Sequence, residues 1–500
     1  LQSSESGDAR DRPVSELVAA SPLPDAEDMS ARVTGWLDGR YRALRSTDAQ
    51  TAFRRILPPL LNALGQSPEP DRAMVRLERL LEALPSGINL FRLLEARPGL
   101  LEQLMAIVTL APPLADDLAR RPALFDALID RSAHDLPESV PALQRAMQRA
   151  EPRGNYEALL DRIRVVTGEA RFALGVQLIS GTHDPLEIAH GFAVVAEAAL
   201  QTALAGTVAE FAKAHGTIEG SEMVILGLGR LGGEALTHAS DLDIIYLFTG
   251  DHGAESDGER PLSATRYYNR LAQRVGAALS VPTAEGPLYE VDTRLRPQGA
   301  QGPLAVSVES FARYQRESAW TWEHMALARA RVVAGSFAAR ADVDDIIREV
   351  LLAPRDPATL REDVLKMRAE MARHKPAKGV LDVKLMRGGL VDIEFVLHFL
   401  QLRDHIALDP RLAKACATLV HAGTLPQAFA EANDFLTRLI VAARLLAPDL
   451  AVPPGDAGAV LAEACGCADT DALLHRVDEA RQEVARVWQQ IFDEKLEIDK

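Results

Sequence analysis

The sequence predicts an α+β fold, in which a small mixed-sheet core is embedded between an N-terminal helical bundle and a C-terminal helical domain. Three observations predict it. Apolar residues recur at helical spacing almost everywhere from 29 to 220 and again from 341 onward. Strand-like segments, EMVILGLG, LDIIYLF, LYEVDTRL and PLAVSV, are confined to about 222–308. Finally, 500 residues of which 47% are hydrophobic suffice for roughly three domains with sizeable cores.

Taken in order, residues 1–28 are rich in Ser, Asp, Glu and Pro and read as a disordered leader. Residues 29–220 read as a helical region punctuated by Pro and Gly, as in DRAMVRLERLLEAL and PLEIAHGFAVVAEAALQTALAGTVAEFAKAHG. No fixed period recurs, so a solenoid is not expected. Residues 221–340 hold the sheet, with RYYNRLAQRVGAALSV as a helix between the second and third strands. The stretch from SVESF to RVVAG reads as helical, and its tryptophans, Trp320 and Trp322, read as core. Residues 341–500 form the C-terminal helical domain, broken by LAPRDP, HKPAKG, MRGG and PDLAVPPGDAG.

Composition narrows the function. A formal charge of −16 argues against nonspecific binding to nucleic acid or to anionic membranes. Three cysteines make no disulfide framework, and Cys465-Gly-Cys467 lacks the partners of a zinc site, so buried thiols in a reducing cytoplasm are expected. No apolar stretch reads as the ~18 residues of a membrane span, and no secretory signal is evident. The chain opens on Leu1, which fits a fragment of a longer protein or a processed chain.

The most informative stretch is GLGRLGGEALTHASDLDIIYLF, residues 227–248. As an extended strand, DLDIIYLF puts Asp241, Asp243 and Ile245 on one side and Leu242, Ile244 and Tyr246 on the other. Paired carboxylates on one strand face hold hard cations, and such cations bridge phosphate oxygens. YEVDTRLRP supplies a third acid, Asp292, which strand alternation would align with Arg294 and Arg296 as phosphate donors. Arg329 divides evenly between phosphate contact and surface charge. Lys384 and Arg387 precede Gly388 and Gly389 and an amphipathic helix, a setting that suits an anion. Asp392 and Glu394, two apart, diverge on that helix, so one of them faces the site.

Competing readings exist. Gly227, Gly229 and Gly232 satisfy G-x-G-x-x-G after a strand, the fingerprint of an NAD-binding Rossmann oxidoreductase, with Asp251 near the ribose-binding offset. Against it, the span to the next strand is too short and too poor in helix formers for a crossover helix, and the three aspartates go unexplained. Asp241 and Asp243 as a solvated strand end, an inactive adaptor, and a small-molecule nucleotidyltransferase are further alternatives.

Together with AWTWEHMALARARVVAG and RGGLVDIEF, these motifs resemble the glutamine synthetase adenylyltransferase family of the DNA polymerase beta-type nucleotidyltransferase superfamily. The likeness is strong over about 220–400, and SGINLFRLLEARPGLLEQL with LAPPLADDLARRPALFDALID is similar to the family's interdomain helices. The resemblance implies transfer of AMP from ATP to a tyrosine hydroxyl of glutamine synthetase, releasing pyrophosphate and down-regulating nitrogen assimilation. It implies Mg²⁺ at Asp241, Asp243 and Asp292, with Gly232, Gly233, Ser240, Arg294, Arg296, Arg329, Lys384 and Arg387 around the nucleotide. It also implies glutamine and a PII-type signal protein as regulators. Family members carry an adenylyl-removing and an attaching unit; only one Gly-Gly…Asp-x-Asp set is present here, and AWTWEH before a helical C-terminus resembles the attaching unit. Met386 and Arg387 before the glycines depart from the family's small or polar residues.

Overall fold

A computed structural model describes residues 12–129, 135–149 and 155–498. The chain forms two compact units. One comprises Leu1–Asp135, Phe172–Asp184 and Ala442–Leu473; the other comprises Leu136–Arg171, Pro185–Val441 and Leu474–Lys500.

Among its described residues the first unit is built of helices. The helix Thr47–Gln66 buries Phe53, Ile56, Leu57, Leu60, Leu61 and Leu64 at helical spacing and packs against Ile88–Ala96. Its N-terminus is capped by Ser46, whose Oγ accepts the Ala49 N–H at 3.2 Å. Trp36 meets Phe53 edge-on with centroids 6.2 Å apart, and its Nε1 donates to Glu78 at 2.9 Å. The expected leader, residues 1–28, does not hold from Val14 onward. Residues 1–11 lie outside the described residues, but Val14–Ala19 and Ala26–Gly35 are helices that bury Val14, Leu17, Val18 and Met29. Apolar residues at i, i+3 and i+4 in VSELVA give that short helix a face to bury, despite the polar composition around it.

The second unit holds a five-stranded mixed sheet: β1 (Met223–Gly227), β2 (Leu242–Phe248), β3 (Val291–Asp292), β4 (Ala305–Ser307) and β5 (Arg331–Ala334). The order is β3-β2-β1-β5, with β4 also pairing β2. β1 runs antiparallel to β2 and β5, whereas β2 runs parallel to β3 and, further along, to β4. The α+β expectation therefore holds. β5 was expected to be helical. Instead the helix Thr321–Leu327 stops early, and the β-branched Val332 and Val333 complete the sheet with both side chains buried. That early stop also overturns the core reading of the tryptophans, since the helical stripe that would bury them does not exist. Trp320 is 70% exposed and Trp322 40%.

Two helices back the sheet. Ala264–Ser280 presents Tyr267, Tyr268, Leu271, Val275 and Leu279 inward. Pro185–His215 packs against it and against Val140–Met147. Contrary to the sequence expectation, Pro185–His215 is long and apolar enough by composition to cross a membrane, with a mean hydropathy of 1.5 over its best 18 residues. Ile188, Phe192, Val195, Leu200 and Ala203 spend that apolarity inside the unit, where all are buried.

Candidate active site

β2 and β3 place the three aspartates. Asp243 and Asp292 are register partners across the parallel pair, and Asp241 precedes β2. Ligand oxygens of Asp241, Asp243 and Asp292 all lie within 4.8 Å of one another. The glycine turn makes this geometry possible. Leu228 N–H donates to the Asp243 carbonyl at 2.9 Å, and Gly229 follows at φ +53. A Cβ at Gly229 would lie 2.5 Å from Asp243 Oδ2, so any side chain there would displace the carboxylate.

Charge crowding dominates the electrostatics. Burial, then the Asp241 and Asp292 charges, push the Asp243 carboxyl up to about 6, with Lys384 and Arg329 pulling the other way. Asp292 moves in the opposite direction. Arg294 grips its carboxylate through Nε and Nη2, which holds Asp292 below the usual carboxylate range despite its partial burial. Asp292 is therefore a weak proton acceptor while Arg294 is on it. Three carboxylates offering only hard oxygen donors suit Mg²⁺, and the raised proton affinity of Asp243 marks a negative cluster that a divalent cation would relieve.

Cations arrive from several elements. Lys384 keeps access to solvent, yet crowding by the surrounding protein and repulsion from Arg230 hold its ammonium below its usual range, against Glu394, Asp243 and Asp241. Arg329, buried, donates to Glu394 at 2.6 Å, and its guanidinium takes the space that a Cβ at Gly233 would need. Burial disfavours the Glu394 charge, but Arg329, His398, Arg230 and Lys384 outweigh it and keep this carboxyl low. Of the divergent acid pair, Glu394 thus faces the cluster. Asp392 is fully buried, pairing with Arg368 at 2.5 Å and accepting Gly388 N–H at 2.7 Å.

Several expected ligands have other partners. β3 ends after Asp292 because Thr293–Gln301 turns, with Gln298 and Gly299 at positive φ. Arg296 consequently does not align with Asp292; its guanidinium donates to the carbonyls of Thr293, Ala300 and Gly302. Ser240 closes a turn, its Oγ accepting Thr237 N–H at 3.0 Å and sharing a hydrogen bond with Thr237 Oγ1. The Gly232 and Gly233 amides, expected around the nucleotide, instead donate to the Leu228 and Gly229 carbonyls at 2.9 and 3.1 Å and so are spent within the turn. Gly232 is needed instead for close packing, since a Cβ there would fall 1.9 Å from the Arg329 carbonyl. The backbone of Arg387 ties the turn to the helix Thr470–Phe492 through Arg481 Nε, at 3.0 Å from its carbonyl.

Arg230 and Glu394 are the members that sequence reasoning missed or left open. A basic residue between the glycines of GLGRLGG was the available signal for Arg230. The dinucleotide alternative fails on geometry. β1 and β2 are antiparallel and the intervening helix, Gly229–Gly232, is a single turn, so there is no parallel crossover unit.

The family model described as glutamate-ammonia ligase adenylyltransferase matches residues 101–346, and that of GlnD PII-uridylyltransferase matches residues 361–492. The chain is 39% identical over 429 residues to a bifunctional glutamine synthetase adenylyltransferase/adenylyl-removing enzyme of Mesorhizobium japonicum, covering 85% of this chain and 43% of the relative. The similarly named protein of Brucella melitensis is 39% identical over 463 residues, 90% of this chain and 47% of its own. That of Bradyrhizobium sp. strain BTAi1 is 39% identical over 494 residues, 96% and 50%. The chain spans about half the length of the curated relatives it matches.

Proposed function

The chain belongs, through residues 101–346, to the glutamate-ammonia ligase adenylyltransferase family, and from that premise we propose that it transfers AMP from ATP to a tyrosine hydroxyl of glutamine synthetase. The observation that carries this reading is the cluster of three aspartates beside a tight glycine turn, faced by Lys384 and Arg329. The relatives, named as glutamine synthetase adenylyltransferase/adenylyl-removing enzymes, supply the protein substrate. The attaching direction rests on the AWTWEH segment and its place ahead of a helical C-terminal region.

The bond that forms joins the tyrosine oxygen to the α-phosphorus of ATP, and the bond that breaks releases pyrophosphate. Asp241, Asp243 and Asp292 would hold Mg²⁺, which would polarise the α-phosphate and ease ionisation of a phenol whose ordinary pKa is about 10. Asp292 is the carboxylate assigned to the attacking oxygen. For this it must part from Arg294, and a bond to an exposed guanidinium is readily exchanged. Freed, Arg294 is available to a phosphate oxygen, as is the solvent-accessible Lys384. Arg329, anchored by Glu394, contributes positive charge from within the protein, while Arg296, Ser240 and Arg387 shape their own turns. Positioning and charge neutralisation supply most of the rate in such transfers. Regulation by a PII-type protein and by glutamine goes with this reading, with the match at residues 361–492 supporting the former.

The test is to incubate the protein with glutamine synthetase, Mg²⁺ and ATP labelled at the α-phosphate. Label on glutamine synthetase and release of pyrophosphate are expected. Removal of AMP from adenylylated glutamine synthetase by inorganic phosphate, with no attachment, would reverse the direction, and binding of NAD without Mg²⁺ would discard the reading.

A further inference from the structure

We infer that Arg171 is a positioning residue for the aspartate cluster, since its one guanidinium fixes both chain segments that deliver the carboxylates. The inference rests on reading Asp241, Asp243 and Asp292 as a metal site. Arg171 projects from the helix Tyr156–Ile179. Its Nη2 donates to the His238 carbonyl and its Nη1 to the Leu288 carbonyl at 3.3 Å, while its central carbon sits 5.0 Å over the Tyr289 ring. His238 lies in the turn that leads through Ser240 into Asp241 and β2, and Leu288 and Tyr289 lead into β3 and Asp292.

Arg171 adds a side-chain tie behind the tips to the backbone pairing of β2 with β3. Between the two segments the next backbone bond is Leu242 N–H to the Glu290 carbonyl at 2.9 Å, and the Tyr289 N–H is turned away, to the Leu279 carbonyl at 3.0 Å. Arg164, on the same helix, also donates to carbonyls, but to those of Ala278, Val281 and Gly286, so it braces the end of the helix Ala264–Ser280 instead.

The chemistry explains the choice of residue. Three like charges within 4.8 Å push the tips of β2 and β3 apart unless a cation lies between them. A clamp set behind both tips opposes that force without competing for the carboxylates. Arginine's rigid planar fork reaches two carbonyls at once and stacks on an aromatic ring, which a lysine ammonium cannot do together. His238 and Leu288 are 8% and 4% exposed, so water does not readily replace the lost donors.

Two measurements on the full chain test this: Mn²⁺ binding, followed by electron paramagnetic resonance of free ion with a non-hydrolysable ATP analogue present, and amide hydrogen exchange of the metal-free protein. Arg171→Met should raise the Mn²⁺ dissociation constant by about tenfold or more and speed exchange across 236–243 and 287–292, leaving the helix Ala264–Ser280 protected as in the wild type. Arg171→Lys should recover only a minor part of both, and it carries the test if Arg171→Met does not fold. Mn²⁺ affinity within about twofold of wild type, or unchanged exchange in both segments, overturns the clamp. Asp243→Asn is run alongside. If it binds Mn²⁺ as the wild type does, the metal reading fails, and hydrogen exchange alone then decides whether Arg171 holds the two segments.

Discussion

Asp243 stands directly opposite Asp292 across the parallel β2–β3 pair, with Asp241 close enough that oxygens of all three lie within 4.8 Å. Ionised Asp243 is consequently a burden on the folded protein. Its folded pKa, about 6, is above its ordinary 3.8, so the stability it contributes is full below the ordinary value and lost as pH rises through about 6. Asp243→Asn keeps the shape and discards the charge. In chelator, near neutral pH, this variant should be more stable than the wild type by about 1–3 kcal/mol, with the gap closing toward about pH 4. Thermal unfolding over a pH series checks this; a variant less stable than wild type at neutral pH would contradict it.

The glycine turn yields a sharper contrast. At Gly232 a Cβ would meet the Arg329 carbonyl at 1.9 Å and the Gly227 carbonyl at 2.6 Å, and neither backbone atom can step aside cheaply. Gly232→Ala should cost at least about 2 kcal/mol and abolish activity. Gly99, in the helix Pro98–Leu110, has nothing within 4 Å of such a Cβ. Gly99→Ala should be neutral or stabilising by up to about 1 kcal/mol. Urea unfolding of the two variants side by side is the measurement.

Arg294 and Arg296 are near neighbours with different work. The Arg294 guanidinium is exposed and bonds to Asp292, so Arg294→Ala should raise KM for ATP and leave folding almost untouched. Arg296 braces the Thr293, Ala300 and Gly302 carbonyls, so Arg296→Ala should loosen residues 293–302. Limited proteolysis should then cut that loop in Arg296→Ala and spare it in Arg294→Ala. The reverse pattern would show the assignments exchanged.

The Arg368–Asp392 pair is buried at both ends, with side chains 2% and 0% exposed. Arg368→Met alone leaves a carboxylate stranded and should cost about 3–5 kcal/mol. Arg368→Met with Asp392→Leu should recover part of that loss, short of the whole because Gly388 N–H also loses its acceptor. Denaturant midpoints of the single and double variants decide; a double variant as unstable as the sum of the two single changes would refute the charge argument.

What the sequence disclosed follows from the range of each physical signal. Strand alternation and glycine spacing are local, so Asp241 and Asp243 were legible, and the run YEVD pointed to Asp292. The same rule failed two residues later. Pro297 and the positive-φ pair Gln298 and Gly299 end β3 early and turn Arg296 back on its own loop. Periodicity also carried a helix through Val332 and Val333, because an apolar run does not distinguish a buried strand from a buried helix. The 1–28 leader was read from polar composition, which conceals the three apolar positions of Val14–Ala19. Contacts between residues distant in sequence, Arg171 with His238 and Leu288, or Glu394 with Arg329, leave no local pattern at all.

The most direct test of the central claim weighs glutamine synthetase by mass spectrometry after incubation with this protein, ATP and Mg²⁺. The wild type should add the mass of one AMP to each modified subunit, and folded Asp241→Asn or Asp243→Asn protein should add none. Modification by either variant at the wild-type rate would contradict the claim that these carboxylates hold the metal that drives the transfer.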